Sequence, residues 1–233
     1  MSISKPEDFY AAWAGERTYA KAELKAKHRR QFDRQFWRPA ECRPHMSVLE
    51  VGCGTGLFLA YLAEKGITDF TGVDQEPRVI EHMPAELARH VQLATIGDFL
   101  KNNPERFHRI VLFDVFEHFS PIEGVALLEE LRRALEPDGR IVLRLPNMSS
   151  PWGLRHQYGD LTHQAAYTPE SIAQAAVAAG LEVAACLAVR RGSPFKVFSQ
   201  RCLERLAGWL VADGPDMWSA VFVAVLKVRS SPY

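Results

Sequence analysis

A glycine-rich turn between an apolar strand and a helix constrains this sequence more than any other feature. Residues 48–56 read Val-Leu-Glu-Val-Gly-Cys-Gly-Thr-Gly, and residues 57–65 continue with the apolar spacing of a helix that ends at Gly66. Glycine permits a tight backbone turn and the close approach of a ligand. The segment therefore predicts a ligand-binding turn that joins a strand to a helix in an α/β sheet.

The rest of the chain repeats this alternation of strand and helix. Such alternation favours right-handed crossovers and a mainly parallel sheet covered on both faces, which is a doubly wound α/β fold. Ligands of these sheets bind beyond the carboxyl ends of the strands. Strands are predicted over residues 48–51, 70–74, 91–94, 109–114, 140–145, 181–189 and 220–228, and helices over 57–65, 77–89, 121–135, 169–179 and 195–211, with a turn at 137–139.

Composition and charge narrow the class of protein. The 28 basic and 28 acidic side chains balance, whereas proteins that grip nucleic acid usually carry a basic surplus, so nucleic acid is a disfavoured partner. The sequence shows no signal peptide and no apolar stretch long enough to span a bilayer, and its four cysteines suit reduced thiols. We therefore expect a soluble cytoplasmic protein.

Two acidic residues indicate which ligand suits the glycine turn. Glu50 lies two residues before Gly52, where its carboxylate would repel a pyrophosphate but attract an ammonium or a sulfonium. Asp74 ends the second strand, where a carboxylate can accept hydrogen bonds from both ribose hydroxyls. Past the third strand, Asp98 could accept from an adenine amino group and Phe99 could pack on the ring, although Asp98 also suits a helix cap. Together they point to S-adenosylmethionine (SAM) more than to a nicotinamide dinucleotide.

These motifs, with Asp114-Val-Phe-Glu-His118 after the fourth strand, resemble the class I SAM-dependent methyltransferases in order and spacing. The resemblance covers residues 40–145, with a weaker match beyond. It implies a Rossmann-like seven-stranded sheet, mostly parallel with an antiparallel last strand, and SAM as the cofactor with S-adenosylhomocysteine as its product. It also implies a cofactor site made of Glu50, Gly52, Cys53, Gly54, Gly56, Asp74, Gln75, Asp98, Phe99, Phe113 and Asp114.

The domain organisation follows from the same resemblance. Residues 1–45 would form an N-terminal helical extension that lies over the cofactor as a lid, and residues 46–233 would form the methyltransferase domain. Residues 195–219 are predicted to be a helical insertion before the last strand, with an amphipathic helix. We expect that helix to pack on its own domain or on a second subunit of a homodimer, the protein otherwise being a monomer. Peripheral contact with a membrane is the alternative.

Histidines near the carboxyl ends of the fourth and fifth strands are the candidate catalytic residues. His118 would face the transferred methyl group, and an imidazole that titrates near neutral pH suits removal of a proton from a hydroxyl. Glu117 precedes it, although both residues could simply cap the next helix. His163 lies in the polar loop 146–167 and would assist or bind the acceptor, whereas His156 of that loop suits an exposed, inactive position equally well.

The sequence leaves the methyl acceptor open. The segment Gly159-Asp-Leu-Thr-His163 before a Thr-Pro helix start resembles methyltransferases encoded with bacterial surface-polysaccharide enzymes, which implies O-methylation of a saccharide or another small hydroxylated acceptor. The acids and histidine of residues 114–118, with the distal His163, also resemble the divalent-metal site of small-RNA 2′-O-methyltransferases. This chain departs from that pattern by having Asp114 where Glu is usual. N- or C-methylation and a SAM-binding module without turnover are further alternatives. We expect metal-free O-methylation with His118 as the base, and we leave metal ligands unassigned.

Overall fold

Seven strands and nine α-helices make up the part of the chain that the computed structural model describes, residues 23–190 and 192–229. The first 22 residues of the predicted N-terminal extension therefore lie outside the described range. The strands are β1 (Val48–Val51), β2 (Phe70–Asp74), β3 (Val91–Leu93), β4 (Phe107–Phe113), β5 (Leu135–Pro146), β6 (Leu181–Val189) and β7 (Val221–Val228). The helices are α1 (Ala26–Phe32), α2 (Leu57–Glu64), α3 (Arg78–Glu81), α4 (Ala85–Ala88), α5 (Ile96–Asn102), α6 (Pro121–Arg133), α7 (Leu154–Gln157), α8 (Pro169–Ala178) and α9 (Pro194–Leu210), with a π-helical turn at Asp33–Trp37 and a 3-10 turn at Phe116–His118.

The strands form one sheet in the order β3-β2-β1-β4-β5-β7-β6. β1 pairs in parallel with β2 and β4, and the parallel set continues to β3 on one side and β5 on the other. β7 lies antiparallel between β5 and β6. This confirms the predicted Rossmann-like sheet with an antiparallel last strand. The strand order reverses between β1 and β4, which is where sheets of this kind bind ligands.

Helices cover both faces of the sheet because its central strands are apolar on both sides. All four residues of β1 are buried. On one face α1 and α2 pack together through Phe32 and Phe58, whose ring centroids are 5.0 Å apart. On the other face α6 and α8 bury Leu128 and Ile172 against the sheet. This packing fixes the carboxyl ends of the strands, where the polar residues lie.

Two predicted elements differ from the structure, one because of a proline and one because of strand pairing. The helix predicted over residues 77–89 is instead the pair α3 and α4, because Pro84 has no amide hydrogen to continue the first helix and disfavours helical backbone before it. The turn predicted at 137–139 is instead an irregularity within β5. There the pairing with β4 shifts register between Phe107 and Arg109, so extra residues bulge out of an otherwise continuous strand.

The connection between β6 and β7 contains the helix predicted within 195–219. The side chain of Ser193 accepts a hydrogen bond from the amide of Lys196 and so begins α9. Its large apolar side chains are exposed, so its apolar face does not pack on its own domain, and a second subunit or a membrane remains as the predicted partner of that face. Within residues 23–190 and 192–229, no helix is both long and apolar enough to cross a membrane.

Candidate active site

A cavity of about 390 Å³ lies at the carboxyl ends of β1, β2 and β4. Its volume is in the range of small-molecule binding sites, and the sequence predicted a site at the carboxyl ends of the strands. The loop after β5 also contributes to its wall. The lining residues are Val51, Gly52, Gly54, Val73, Asp74, Gln75, Val79, Ala94, Thr95, Ile96, Phe113, Asp114, Val115, His118, Phe119, Glu123, Thr162 and Gln164.

The glycine turn owes its shape to backbone that other residues rarely adopt. Gly52, Gly54 and Gly56 have φ angles of +69°, +51° and +80°. A Cβ added at Gly52 would lie 2.5 Å from Cγ2 of Val115, and one added at Gly54 would meet nothing within 4 Å. A side chain at position 52 would clash with Val115, so glycine is required there. Because Gly54 has no side chain, its backbone is accessible from the cavity.

Asp74 presents a fixed carboxylate to this cavity. Its Oδ2 accepts a hydrogen bond from the amide of Gly54 at 2.8 Å, and its Oδ1 accepts one from the amide of Glu76 at 2.9 Å. Burial raises the pKa of Asp74 above its ordinary value, against the lowering effect of these amides. Each oxygen keeps a second lone pair, so the carboxylate fits a ribose diol.

Glu50 lies in a smaller adjoining cavity of about 160 Å³. Its side chain is buried, and its Oε2 accepts no hydrogen bond from the residues that the structure describes. Burial, followed by the charge of Asp74, holds the pKa of Glu50 well above its ordinary value. A buried carboxylate oxygen of this kind fits a cationic ligand group such as the ammonium of SAM. The cavity is lined by Phe32, Glu50, Gly52, Cys53, Thr55, Leu57, Phe58, Phe113 and Arg144, of which Gly52 and Phe113 also line the larger one.

The residues predicted to hold adenine lie outside the lining of both cavities. Asp98 accepts from the hydroxyl of Thr95 at 2.8 Å, and Thr95 accepts from the amide of Asp98, so the two cap α5. Phe99 is buried in the core. Asp98 thus takes the capping role that the sequence offered as its alternative, because the cap turns its carboxylate back to the helix start. Thr95 and Ile96 line the cavity in their place.

Asp114 is held by an ion pair with Arg144. It follows β4 with a φ of +57°, and the guanidinium of Arg144 contacts its two carboxylate oxygens at 2.9 and 2.5 Å. Arg144 also lies over the ring of Phe113, 4.4 Å from its centroid. The guanidinium of Arg144 therefore balances the negative charge of Asp114, which a metal cation would balance in the alternative metal site. Across residues 23–190 and 192–229, no group of three His, Cys, Asp or Glu side chains is placed to hold a metal ion.

His118 lines the cavity in a defined tautomer. Its Nδ1 is 2.9 Å from the hydroxyl and 3.3 Å from the carbonyl oxygen of Thr162. The same hydroxyl donates to Oδ1 of Asp160 at 2.6 Å. Because the carbonyl can only accept and the hydroxyl proton is directed to Asp160, Nδ1 must carry the hydrogen. The lone pair of the neutral ring is therefore on Nε2.

The other histidines of the loop after β5 take different positions. The Nδ1 of His163 donates to the carbonyl of Gln157 at 3.0 Å, and its ring packs edge-on against His118 with centroids 4.7 Å apart. His163 thus supports His118 from outside the cavity lining. Gln164 does line the cavity, and its side-chain amide donates to the carbonyl of His118 at 2.6 Å. His156 is exposed on α7.

Glu117 lies behind the cavity wall. Its side chain is buried, and its Oε2 accepts no hydrogen bond from any described residue. Burial, with a further contribution from the charge of Asp114, raises the pKa of Glu117 to about 8. The carboxyl group is therefore mostly protonated at neutral pH, and it lies outside the lining from which His118 faces the cavity.

The buried Glu117 predicts a pH dependence of stability. In the unfolded chain it ionises near its ordinary pKa of 4.5, whereas the folded pKa is about 8. Between these values the folded state keeps a proton that the unfolded state has lost, so the free energy of unfolding falls as pH rises, by at most about 1.4 kcal/mol per pH unit from this group. Glu117→Gln removes this contribution, and we expect its Tm to fall less than that of the wild type over this pH window.

Thermal unfolding followed by circular dichroism measures this difference. Glu105→Gln, at an exposed position, is the matched control and should keep the wild-type pH dependence. If Tm changes equally with pH in the wild type and in Glu117→Gln, folding does not raise the pKa of Glu117.

The sequence did not predict several of the residues that line the two cavities. Arg144 could have been predicted as a functional residue, because it is a charged residue inside the apolar strand Ile141-Val-Leu-Arg-Leu145. Thr162 belongs to the predicted polar loop, but a threonine there has no feature that marks it as a partner of His118. The apolar residues of the wall gave no signal that separates them from ordinary core residues.

Comparisons with known proteins identify the family of this chain. A family model described as a methyltransferase domain matches residues 17–185. A ubiquinone biosynthesis O-methyltransferase of Actinobacillus pleuropneumoniae serotype 5b (strain L20) is 32% identical over 101 residues, which are 40% of this chain and 42% of that protein. A tRNA U34 carboxymethyltransferase of Cellvibrio japonicus (strain Ueda107) is 29% identical over 123 residues, 47% of this chain and 37% of that protein. The matches thus span about two fifths of the length of these curated relatives.

Solved structures share the fold. A SAM-dependent methyltransferase from Archaeoglobus fulgidus superimposes with a TM-score of 0.68 at 21% identity, over 85% of this chain and 92% of that one. An O-methyltransferase from neocarzinostatin biosynthesis, solved with SAM and 2-hydroxy-5-methyl naphthoic acid, gives a TM-score of 0.55 at 17% identity, over 86% of this chain and 55% of that one. With the family match over most of its length, the chain belongs to the class I SAM-dependent methyltransferases and uses SAM as its cofactor.

Proposed function

We propose that this protein methylates a hydroxyl group of a small acceptor, with His118 as the general base. One observation carries the proposal. The Nδ1 of His118 donates to Thr162, and the lone pair of the ring is therefore on Nε2. The side chain of His118 lines the same cavity as Asp74. A positioned imidazole of this kind suits deprotonation of a hydroxyl.

The proposed step needs one proton acceptor from this chain, which is His118. SAM supplies a methyl group on a sulfonium, which makes the thioether S-adenosylhomocysteine a neutral leaving group. As the acceptor oxygen bonds to the methyl carbon and the carbon–sulfur bond breaks, Nε2 of His118 takes the hydroxyl proton. Asp160 stabilises the resulting imidazolium through the Thr162 hydroxyl, which lies between them. His118 then returns the proton to solvent.

The acceptor class follows from the wall near His118. Glu123, Thr162 and Gln164 supply polar groups there, beside the aromatic ring of Phe119. Such a wall suits a hydroxylated small molecule, either a phenol or a saccharide. The relatives named for ubiquinone biosynthesis and the structural neighbour with a bound hydroxynaphthoic acid support the phenol in particular.

The N-terminal segment is proposed to close the methionine end of the cofactor site. Phe32 of α1 lines the smaller cavity together with Glu50. Two polar links hold this segment on α2, one from Arg29 to Glu64 and one in which the hydroxyl of Tyr61 donates to Asp33 at 2.7 Å. These contacts, all made by residues 29–33, support the lid role that we propose for the described part of the N-terminal extension.

An acceptor screen with SAM labelled in its methyl group tests the proposal. The panel contains catechols and hydroxynaphthoic acids, sugars and nucleotide sugars, primary amines, and transfer RNA. We expect label in an ether of a phenol or a sugar. Label in an amine or in RNA, or hydrolysis of every labelled product under conditions that spare ethers, would exclude O-methylation of a small hydroxyl. A chelator added to the assay tests the metal alternative.

Thr162 is a positioning residue in this proposal, and its hydroxyl is expected to affect the pH profile of the reaction. Thr162→Val removes the group between His118 and Asp160, and loss of one such hydrogen bond lowers kcat by about 5- to 10-fold. The imidazolium also becomes less stable, so the acidic limb of the kcat/KM profile should move to lower pH. Thr162→Ser keeps the hydroxyl and should restore both quantities. A fall in kcat with an unmoved limb, or one that Thr162→Ser does not restore, would mean that Thr162 acts only through packing.

A further inference from the structure

Helix α9 turns its most apolar side to solvent. Phe195, Phe198, Leu206 and Trp209 recur on one side at helical spacing, and Phe195 and Trp209 are 78% and 81% exposed. Surface helices of globular domains normally turn such a stripe inward. We call this set the apolar face of α9, and it also includes Cys202, Leu203 and Leu210.

The opposite side of α9 already rests on the domain. Val197, Gln200 and Ala207 are half-buried there. Glu204 on the same side accepts a hydrogen bond from Arg190 at 2.7 Å, which ties the helix to the end of β6. The apolar face therefore cannot turn inward without breaking these contacts.

Basic residues border the apolar face on both sides. At about 100° per residue, Arg201 and Arg205 lie along one border and Lys196 lies along the other, and all three are exposed. Glu204 is the only acidic residue of α9 and is paired with Arg190. The exposed part of the helix is thus apolar with positively charged borders.

The connection that contains α9 leaves and rejoins the sheet at the catalytic edge. β6 ends at Val189, and β7 begins at Val221, which pairs with both Val189 and Pro146. β5 ends at Pro146, so the connection starts and finishes beside the loop that supplies Thr162 to the cavity.

Hydrogen bonds join that loop to the end of the α9 connection. The side-chain amide of Asn147 donates to the carbonyls of residues 217 and 219 at 2.8 and 2.9 Å. The loop exposes large apolar side chains of its own, among them Trp152 and Tyr158. The α9 connection and the loop after β5 therefore both carry exposed aromatic residues, and both meet the sheet at the carboxyl end of β5.

We propose that α9 is an interfacial helix that docks this edge of the enzyme on an anionic lipid bilayer. Aromatic and aliphatic side chains on one face, with Lys and Arg at its borders, are what such helices use to enter the headgroup region. A second copy of the chain fits less well. A symmetric pairing would bring the basic borders of α9 against each other, and the face of a 17-residue helix offers only a few hundred Å² against the roughly 800 Å² per partner of a stable interface.

Co-sedimentation of the full chain with vesicles tests this proposal without cofactor or acceptor, so its outcome is independent of the proposed reaction. Neutral vesicles contain phosphatidylcholine alone, and anionic vesicles contain equal parts of phosphatidylcholine and phosphatidylglycerol. We expect binding to the anionic vesicles that is roughly 100-fold tighter than to neutral ones, because three basic residues border the face. Added salt should weaken it.

Two variants separate the contributions. The double variant Phe198→Ser with Trp209→Ser should abolish sedimentation, and Arg201→Gln with Arg205→Gln should remove most of the preference for anionic lipid. Val177→Ser takes an exposed apolar side chain from α8 and should bind as the wild type does. Equal weak binding to both vesicle types overturns the proposal. So does a wild-type dimer in light scattering that ignores vesicles and that Trp209→Ser converts to monomer, which would make the face a subunit interface.

Discussion

Replacing His118 by alanine is expected to lower kcat by about 100- to 10,000-fold, which is the range that a positioned general base contributes. The dissociation constant for SAM should change by less than about threefold. The reason is geometric. His118 lines the cavity on the wall that it shares with Thr162, whereas the glycine turn that follows β1 and Asp74 at the end of β2 would hold SAM. Steady-state kinetics with saturating acceptor and calorimetry with SAM measure the two quantities.

His156→Ala is the matched control, because this histidine belongs to the loop after β5 but is exposed on α7. It should leave both kcat and SAM affinity near wild type. His118→Ala turnover within threefold of wild type would remove the proposed base. Loss of SAM affinity in parallel with turnover would place His118 in cofactor binding instead.

Sequence alone was sufficient for the fold because its determinants are local and repeated. Most predicted strands are apolar runs bounded by turn residues, and the glycine turn after β1 indicates where the candidate site lies. One of the two errors arose where tertiary pairing overrode a local signal. Residues 137–139 have the composition of a turn, but pairing of β5 with β4 on both sides of them keeps the strand continuous around a bulge.

The candidate site was only partly predictable, because its hydrogen bonds join distant segments. Asp74 and His118 were predicted from sequence and both line the cavity, since polar residues that follow an apolar strand are visible in the sequence. The role of Thr162 depends on a contact with His118 across 44 positions. Arg144 and Asp114 face each other only because β4 and β5 are neighbours. The sequence allowed Asp98 either to bind adenine or to cap a helix. In the structure its carboxylate accepts from the hydroxyl of Thr95 at the start of α5.

Asp74 should have the largest effect on cofactor affinity. Two hydrogen bonds from ribose hydroxyls to a carboxylate contribute about 1.5–3 kcal/mol each, so Asp74→Ala is expected to weaken SAM binding by at least ~100-fold. The variant also leaves the amides of Gly54 and Glu76 without their acceptor, which loosens the glycine turn. At saturating SAM, kcat should recover most of its wild-type value because His118 is untouched. Calorimetry with SAM and with S-adenosylhomocysteine measures the loss.

A ribose-modified ligand distinguishes a direct contact from a loosened turn. The wild type should bind a 2′,3′-dideoxy analogue of S-adenosylhomocysteine far more weakly than the parent, whereas Asp74→Ala should bind the two alike, because the hydroxyls have lost their partner. Asp69→Ala, at an exposed acid just before β2, should discriminate as the wild type does. If Asp74→Ala keeps the full preference for the ribose hydroxyls, another group holds them, and the carboxylate serves only to shape the turn. If Asp74→Ala loses the preference for the ribose hydroxyls, the carboxylate of Asp74 binds these hydroxyls directly. It would do so through the lone pairs that do not accept from the amides of Gly54 and Glu76.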